Sequence, residues 1–177
     1  MIHNILKAKR WQLALAFTLP YLLYFLLRTD SDQLVKFTPI ITALFLLVLL
    51  GWLYSIGVGL QKKTPKNLQM KTLKFKVFML IPLIYVPFML GFMDGLFDNI
   101  EESDTSSILF LFLSGFLLHG ISIFGLIYSY YFTAKTIKTI ELNREVRFSD
   151  FQGILLQLVM FPVGIWFIQP KINKMVE

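Results

Sequence analysis

The stretch that decides the fold is ILFLFLSGFLLHGISIFGLIYSYYF, Ile108–Phe132, 25 residues without an Asp, Glu, Lys, Arg or Pro. As a helix rising about 1.5 Å per residue it measures roughly 37 Å, more than a hydrocarbon core of about 30 Å requires. Its small residues gather on one side, where Ser114, Ser122, Gly125 and Ser129 share a stripe that runs on to Thr136. Lipid tails reward no face of an apolar helix, so such a stripe marks the approach of another helix. Gly125, Ser129 and Thr133 also recur at intervals of four. One histidine, His119, sits near the midpoint.

Composition extends this reading to the whole chain. Apolar residues make up 56% of the 177 and charged residues 16%, against about 45–50% and about 25% in soluble domains. This argues for a single membrane domain. There is no cysteine, which removes disulfides, thiolate metal sites and thiol nucleophiles from consideration. Lys7, Lys9 and Arg10 before an apolar run suggest a signal peptide, but Arg28-Thr29-Asp30 follows with no small-residue cleavage site. That run is read as the first membrane helix.

Four further helices are expected around the central one at 107–133: about 11–27, 38–60, 76–97 and 150–168. Thr38 caps the second, and Pro39 takes its first position. Gly51, Ser55 and Gly59 form a second close-packing face near its far end. Pro82 and Pro87 bend the third. Ser149-Asp150-Phe151-Gln152 opens the fifth as a capping box. That fifth helix is short; it either spans or lies at the interface. Ala134–Phe148 extends the central helix beyond the membrane as an amphipathic turn or two before the chain reverses. The expected architecture is an all-α integral membrane bundle of five helices, residues 1–177 as one domain.

Lys and Arg are sorted by loop. The N-terminus, the segment between the second and third helices and the segment between the fourth and fifth together hold thirteen, and the other two connections hold two. This positive-inside pattern places the N-terminus in the cytoplasm. The small faces Gly51/Ser55/Gly59 and Gly125/Ser129/Thr133 then fall in the same leaflet and are expected to meet in parallel.

Candidate sites are few. His119 is an ionisable group in mid-membrane, either a functional contact or a neutral imidazole hydrogen-bonded within the bundle. The outer loop carries Asp94, Asp98, Glu101, Glu102 and Asp104 in a spacing that matches no EF-hand; Asp94 stands closest to the membrane. The basic segment Lys62–Lys76 is topogenic and suited to anionic lipid, and it lacks the interleaved aromatics of a nucleic-acid surface. No zinc pair, nucleophile elbow or phosphate loop occurs, so neither an enzyme nor a cofactor protein is expected.

The segments YFTAKTIKTIELNREVRFSDF (Tyr131–Phe151) and FPVGIWFIQPKIN (Phe161–Asn173) resemble an uncharacterised family of small multi-pass membrane proteins of Bacteroidota, with Pro162, Gly164, Trp166, Gln169, Pro170 and Asn173 in the second. The resemblance covers about a quarter of the chain and implies a bacterial inner-membrane location. It assigns no catalytic residue. Physically, the segment reads as a helix broken or bent at Pro162, anchored by Trp166 and ended at Gln169 before Pro170. The expected function is a non-enzymatic subunit that binds protein partners in a larger membrane assembly. The alternative is a small oligomeric transporter or channel with His119 in a polar pathway.

Overall fold

The computed structural model of the chain describes residues 2–26, 31–99 and 105–177. Among these residues it is helical throughout: α1 (Ile2–Leu6), α2 (Arg10–Leu26), α3 (Ser31–Gln61), α4 (Thr72–Asn99), α5 (Thr105–Leu142), α6 (Phe148–Val159) and α7 (Phe161–Val176), with one 3-10 turn at Lys66–Leu68. Among the described residues, three helical segments are long and apolar enough to cross a membrane: Phe37–Gln61, Thr72–Leu90 and Phe112–Leu142.

Helices α3, α4 and α5 form the frame. Phe75, near the start of α4, stacks on Phe132 of α5 at 4.4 Å between centroids, and its ring fills the space that a Cβ on Gly57 of α3 would need. Four residues further along both α3 and α5, Gln61 Nε2 donates to Thr136 Oγ1 at 3.0 Å. These two helices therefore run parallel over their last turns. Close approach elsewhere is made differently from the expectation. A Cβ on Gly125 would lie 2.6 Å from the carbonyl oxygen of Phe78 and 3.3 Å from Pro82 Cδ, so this glycine admits α4, not α3; Gly51 has no atom within 4 Å of where its Cβ would be. Ser55 and Ser129 are buried, but each hydroxyl donates to the carbonyl four residues back in its own helix.

Several helix boundaries differ from the sequence reading. Helix α3 begins at Ser31 and runs through Pro39, which is interior and not at the first position. A proline costs a helix one hydrogen bond and a steric clash, and near the end of a long apolar helix that is tolerated. Helix α4 likewise runs through Pro82 and Pro87. Helix α5 extends to Leu142 as expected, and Asn143, at φ 49°, adopts the left-handed conformation that commonly ends helices.

The fifth predicted helix is two helices. Pro162 lacks an N–H and its ring opposes the carbonyl four residues back, so one continuous helix is broken here. Helix α6 stops at Val159, Met160 turns the chain (φ −80°, ψ 41°), and α7 restarts with Pro162 in its first turn, where the missing N–H costs nothing. The N–H groups of Val163 and Gly164 both donate to the Met160 carbonyl, at 3.1 and 3.0 Å. Gly164 lies directly on the Gln157 backbone, leaving no room for a Cβ. Helix α7 also does not end at Gln169; it continues through Pro170 to Val176. At the other end α6 begins at Phe148 and not Ser149. Asp150 reaches back to accept the Arg147 N–H at 2.8 Å.

This hairpin leaves and returns to one end of the bundle. Phe151 of α6 packs on Tyr131 of α5 at 5.2 Å, and the turn carries Phe161 to Phe17 of α2 (4.4 Å) and Phe45 of α3 (5.5 Å). Helix α7 then runs back, so that Lys171 pairs with Glu141 of α5 at 3.1 Å and Lys63 Nζ donates to the Met175 and Val176 carbonyls. Twelve residues of α6 make about 18 Å of helix and sixteen of α7 about 24 Å, each short of a bilayer core of about 30 Å.

Glycine substitution tests this packing. Gly125→Ala and Gly164→Ala are expected to lower the thermal midpoint in detergent, because backbone oxygen stands where the methyl group must go. Gly51→Ala is expected to raise stability by about 0.5–1 kcal/mol, having open space and a lower entropy cost in the helix.

Candidate functional site

Polar side chains in this apolar chain concentrate at two places. The first is a buried seam at the hairpin end. Gln169 of α7 is fully buried. Its Oε1 accepts from Trp52 Nε1 of α3 at 2.9 Å. Its Nε2 faces the carbonyls of Leu6 (3.1 Å) and Ala8 (3.0 Å), and the side-chain oxygen of Asn173 at 2.8 Å. Asn173 Nδ2 also donates to Ala8 O at 3.3 Å. These carbonyls follow the last turn of the five-residue α1, where no intrahelical donor exists. The motif residues Gln169 and Asn173 therefore satisfy freed backbone groups of the N-terminal segment and not of their own helix.

Gln61 makes a second knot. It donates to Thr136 and accepts the Met70 N–H at 2.9 Å, fixing the turn into α4. Thr133 Oγ1 nearby in α5 is buried with no hydrogen-bond partner among the described residues. Sequence reasoning missed Trp52 and Gln61. The available signal was that each is a polar-capable side chain inside the apolar run of α3.

Around the seam lies the basic end of the molecule. With the hairpin returning here, Lys171 and Lys174 join the N-terminal, Lys62–Lys76 and Lys135–Arg147 groups, making fifteen of the chain's seventeen Lys and Arg. Four of its eleven Asp and Glu stand beside them. Glu141 pairs with Lys138 (3.0 Å) and Lys171 (3.1 Å), and Asp150 with Arg144 (3.1 Å). The Arg144 guanidinium and the Arg147 N–H hold the Asp150 carboxyl below the usual carboxylate range. Arg10 lies over the Trp166 ring, 5.2 Å from its centroid.

The second place is the far half of α5. His119 is exposed on the outside of the bundle, its ring 5.9 Å from that of Tyr85 on α4. The Tyr85 hydroxyl donates to the Gly115 carbonyl at 3.0 Å. Beside His119, Gly120 has no atom within 4 Å of where a Cβ would sit, and Phe116, Leu117 and Ile123 are all exposed. His119 thus lines no interior passage of this single chain. Asp94 lies on α4, and its side chain is outside the described residues, as are Glu101, Glu102 and Asp104 of the acidic loop. No group of three or more His, Asp or Glu suited to a metal occurs among the described residues. A wholly apolar groove of about 340 Å³ lies between α3 and α4, bounded by Pro39, Ala43, Leu47, Leu83 and Pro87.

Comparison of the chain with protein-family models, with curated proteins and with solved structures gives no match. The functional reading rests on the chain's own residues.

Gln169→Leu is expected to lower the unfolding free energy by about 3 kcal/mol, since buried acceptors and the Trp52 N–H lose their partner. Pairing it with Trp52→Phe in a double-mutant cycle should cost clearly less than the sum of the two single changes.

Proposed function

We propose that the chain is a non-enzymatic subunit of a bacterial inner-membrane assembly, and that the far half of α5, around His119 and Gly120, receives a partner's membrane helix. The observation that carries this reading is the outward exposure of His119. Ionisable side chains within membrane segments nearly always face protein or a water-filled cavity, because hydrocarbon gives them no partner. Small residues such as Gly120 beside them let a second helix come close.

Orientation follows from charge. Helices α2 to α5 cross the bilayer, α6 and α7 enter from the basic side and return, and the basic end faces the cytoplasm. Under this arrangement Lys171 and Lys174 obey the positive-inside rule, which a spanning fifth helix would violate. The bacterial inner-membrane location is what the resemblance of Phe161–Asn173 to small membrane proteins of Bacteroidota implies.

The native chain has no cysteine, so single-cysteine labelling is direct. In intact cells, Lys66→Cys and Glu177→Cys should resist a membrane-impermeant maleimide, while Ser106→Cys reacts. Labelling of Glu177→Cys together with Ser106→Cys, with Lys66→Cys still shielded, would restore a spanning fifth helix.

A photo-crosslinking side chain at position 119 or 120, irradiated in native membranes, should join the chain to one discrete membrane polypeptide. Crosslinking only to lipid refutes the partner face. Crosslinking to a second copy, with proteoliposome flux lost in His119→Ala, favours the oligomeric carrier instead.

A further inference from the structure

We infer that the basic end is a binding surface for acidic phospholipid headgroups, resting on the membrane reading above and deepening it. The fold collects cations there far beyond what its own carboxylates neutralise. Glu141 and Asp150 are taken by Lys138, Lys171 and Arg144, while Lys63 is spent on the end of α7. Lys62, Lys66, Lys71, Lys74, Lys76 and Arg147 are exposed, with no ion pair among the described residues.

The apolar side chains set among these cations identify the partner. Leu73, between Lys71 and Lys74, is 72% exposed, and Phe148, next to Arg147, is 57% exposed. Water alone disfavours that combination. A headgroup layer accepts it, with the apolar side chain lowered toward the acyl chains and the ammonium left among the phosphates. Arg10 and the half-exposed Trp166, stacked together, are placed in the same way, tryptophan being a residue of membrane interfaces. The knots at Gln61 and Gln169 hold the segments carrying these groups in fixed positions, so the surface is organised before lipid arrives.

A nucleic acid is the other polyanion this end faces. Stacking of several bases needs aromatic rings interleaved with the cations, and Lys62–Lys76 has only Phe75, which is fully buried.

The test is native mass spectrometry of the full chain from bilayer discs of equal phosphatidylglycerol and phosphatidylcholine. The retained lipid should be enriched in phosphatidylglycerol, and high salt should abolish the enrichment. Each neutralised lysine near the headgroups is expected to cut it about fivefold, so Lys62→Gln, Lys66→Gln, Lys71→Gln and Lys74→Gln combined should remove it. Lys36→Gln, at the opposite end, should leave it intact. Equal retention of the two lipids by the native chain would overturn the inference, as would enrichment that survives the fourfold variant or nuclease-sensitive nucleic acid on this face. Failure of the chain to enter discs of either lipid would overturn the membrane reading with it; entry with no lipid preference would overturn this inference alone.

Discussion

One side-chain amide, that of Gln169, carries the arrangement of the hairpin end. Where helix α1 stops, the carbonyl of the buried Leu6 and that of the partly buried Ala8 need donors from elsewhere. An unsatisfied buried group of that kind costs about 1–3 kcal/mol. Gln169 supplies the donors and in return accepts from Trp52, so a single residue ties the N-terminal segment, α3 and α7 to one another. Neither a hydrophobic residue nor an ionised carboxylate can replace it, because the site uses an amide's N–H donors and its carbonyl acceptor together.

The break at Met160 has the next largest consequence. Because Pro162 prevents one continuous helix, the C-terminal segment folds back, and its two lysines come to the end where the other basic groups already lie. The turn stays closed through Gly164, which is seated on the Gln157 backbone. The molecule that results is densely packed at one end and thin at the other. Leu53, Ile56, Leu60, Phe75, Ile137 and Ile172 are all completely buried at the basic end, whereas Phe112, Phe116 and Leu117 of α5 are mostly bare at the other. In a bilayer, that bare half is left for lipid or a neighbouring helix to cover.

The two clusters of small residues show how a sequence pattern carries less than a structure. Both lie on the helices and at the spacing expected, yet Gly125 admits a carbonyl of α4 while Gly51 admits nothing. A small stripe states that a close neighbour is affordable. It does not state which neighbour comes.

What this sequence determined by itself was its all-helical character, the runs long and apolar enough to cross a membrane, and its charge sorting. Long apolar runs without charge, read against the length of a bilayer, need no tertiary knowledge, and neither does a count of lysines per connection. The fate of the last thirty residues, the partner of each small face and the use of Gln61, Trp52 and Gln169 were settled only in three dimensions. The hydrogen bonds that Gln61, Trp52 and Gln169 make between helices join groups 75 to 164 positions apart in the chain, and such contacts leave no periodic trace along it. Pro39 and Pro162 show the same boundary. Both are prolines in apolar stretches, and whether the helix absorbs one or breaks at it was decided by what packs beside it.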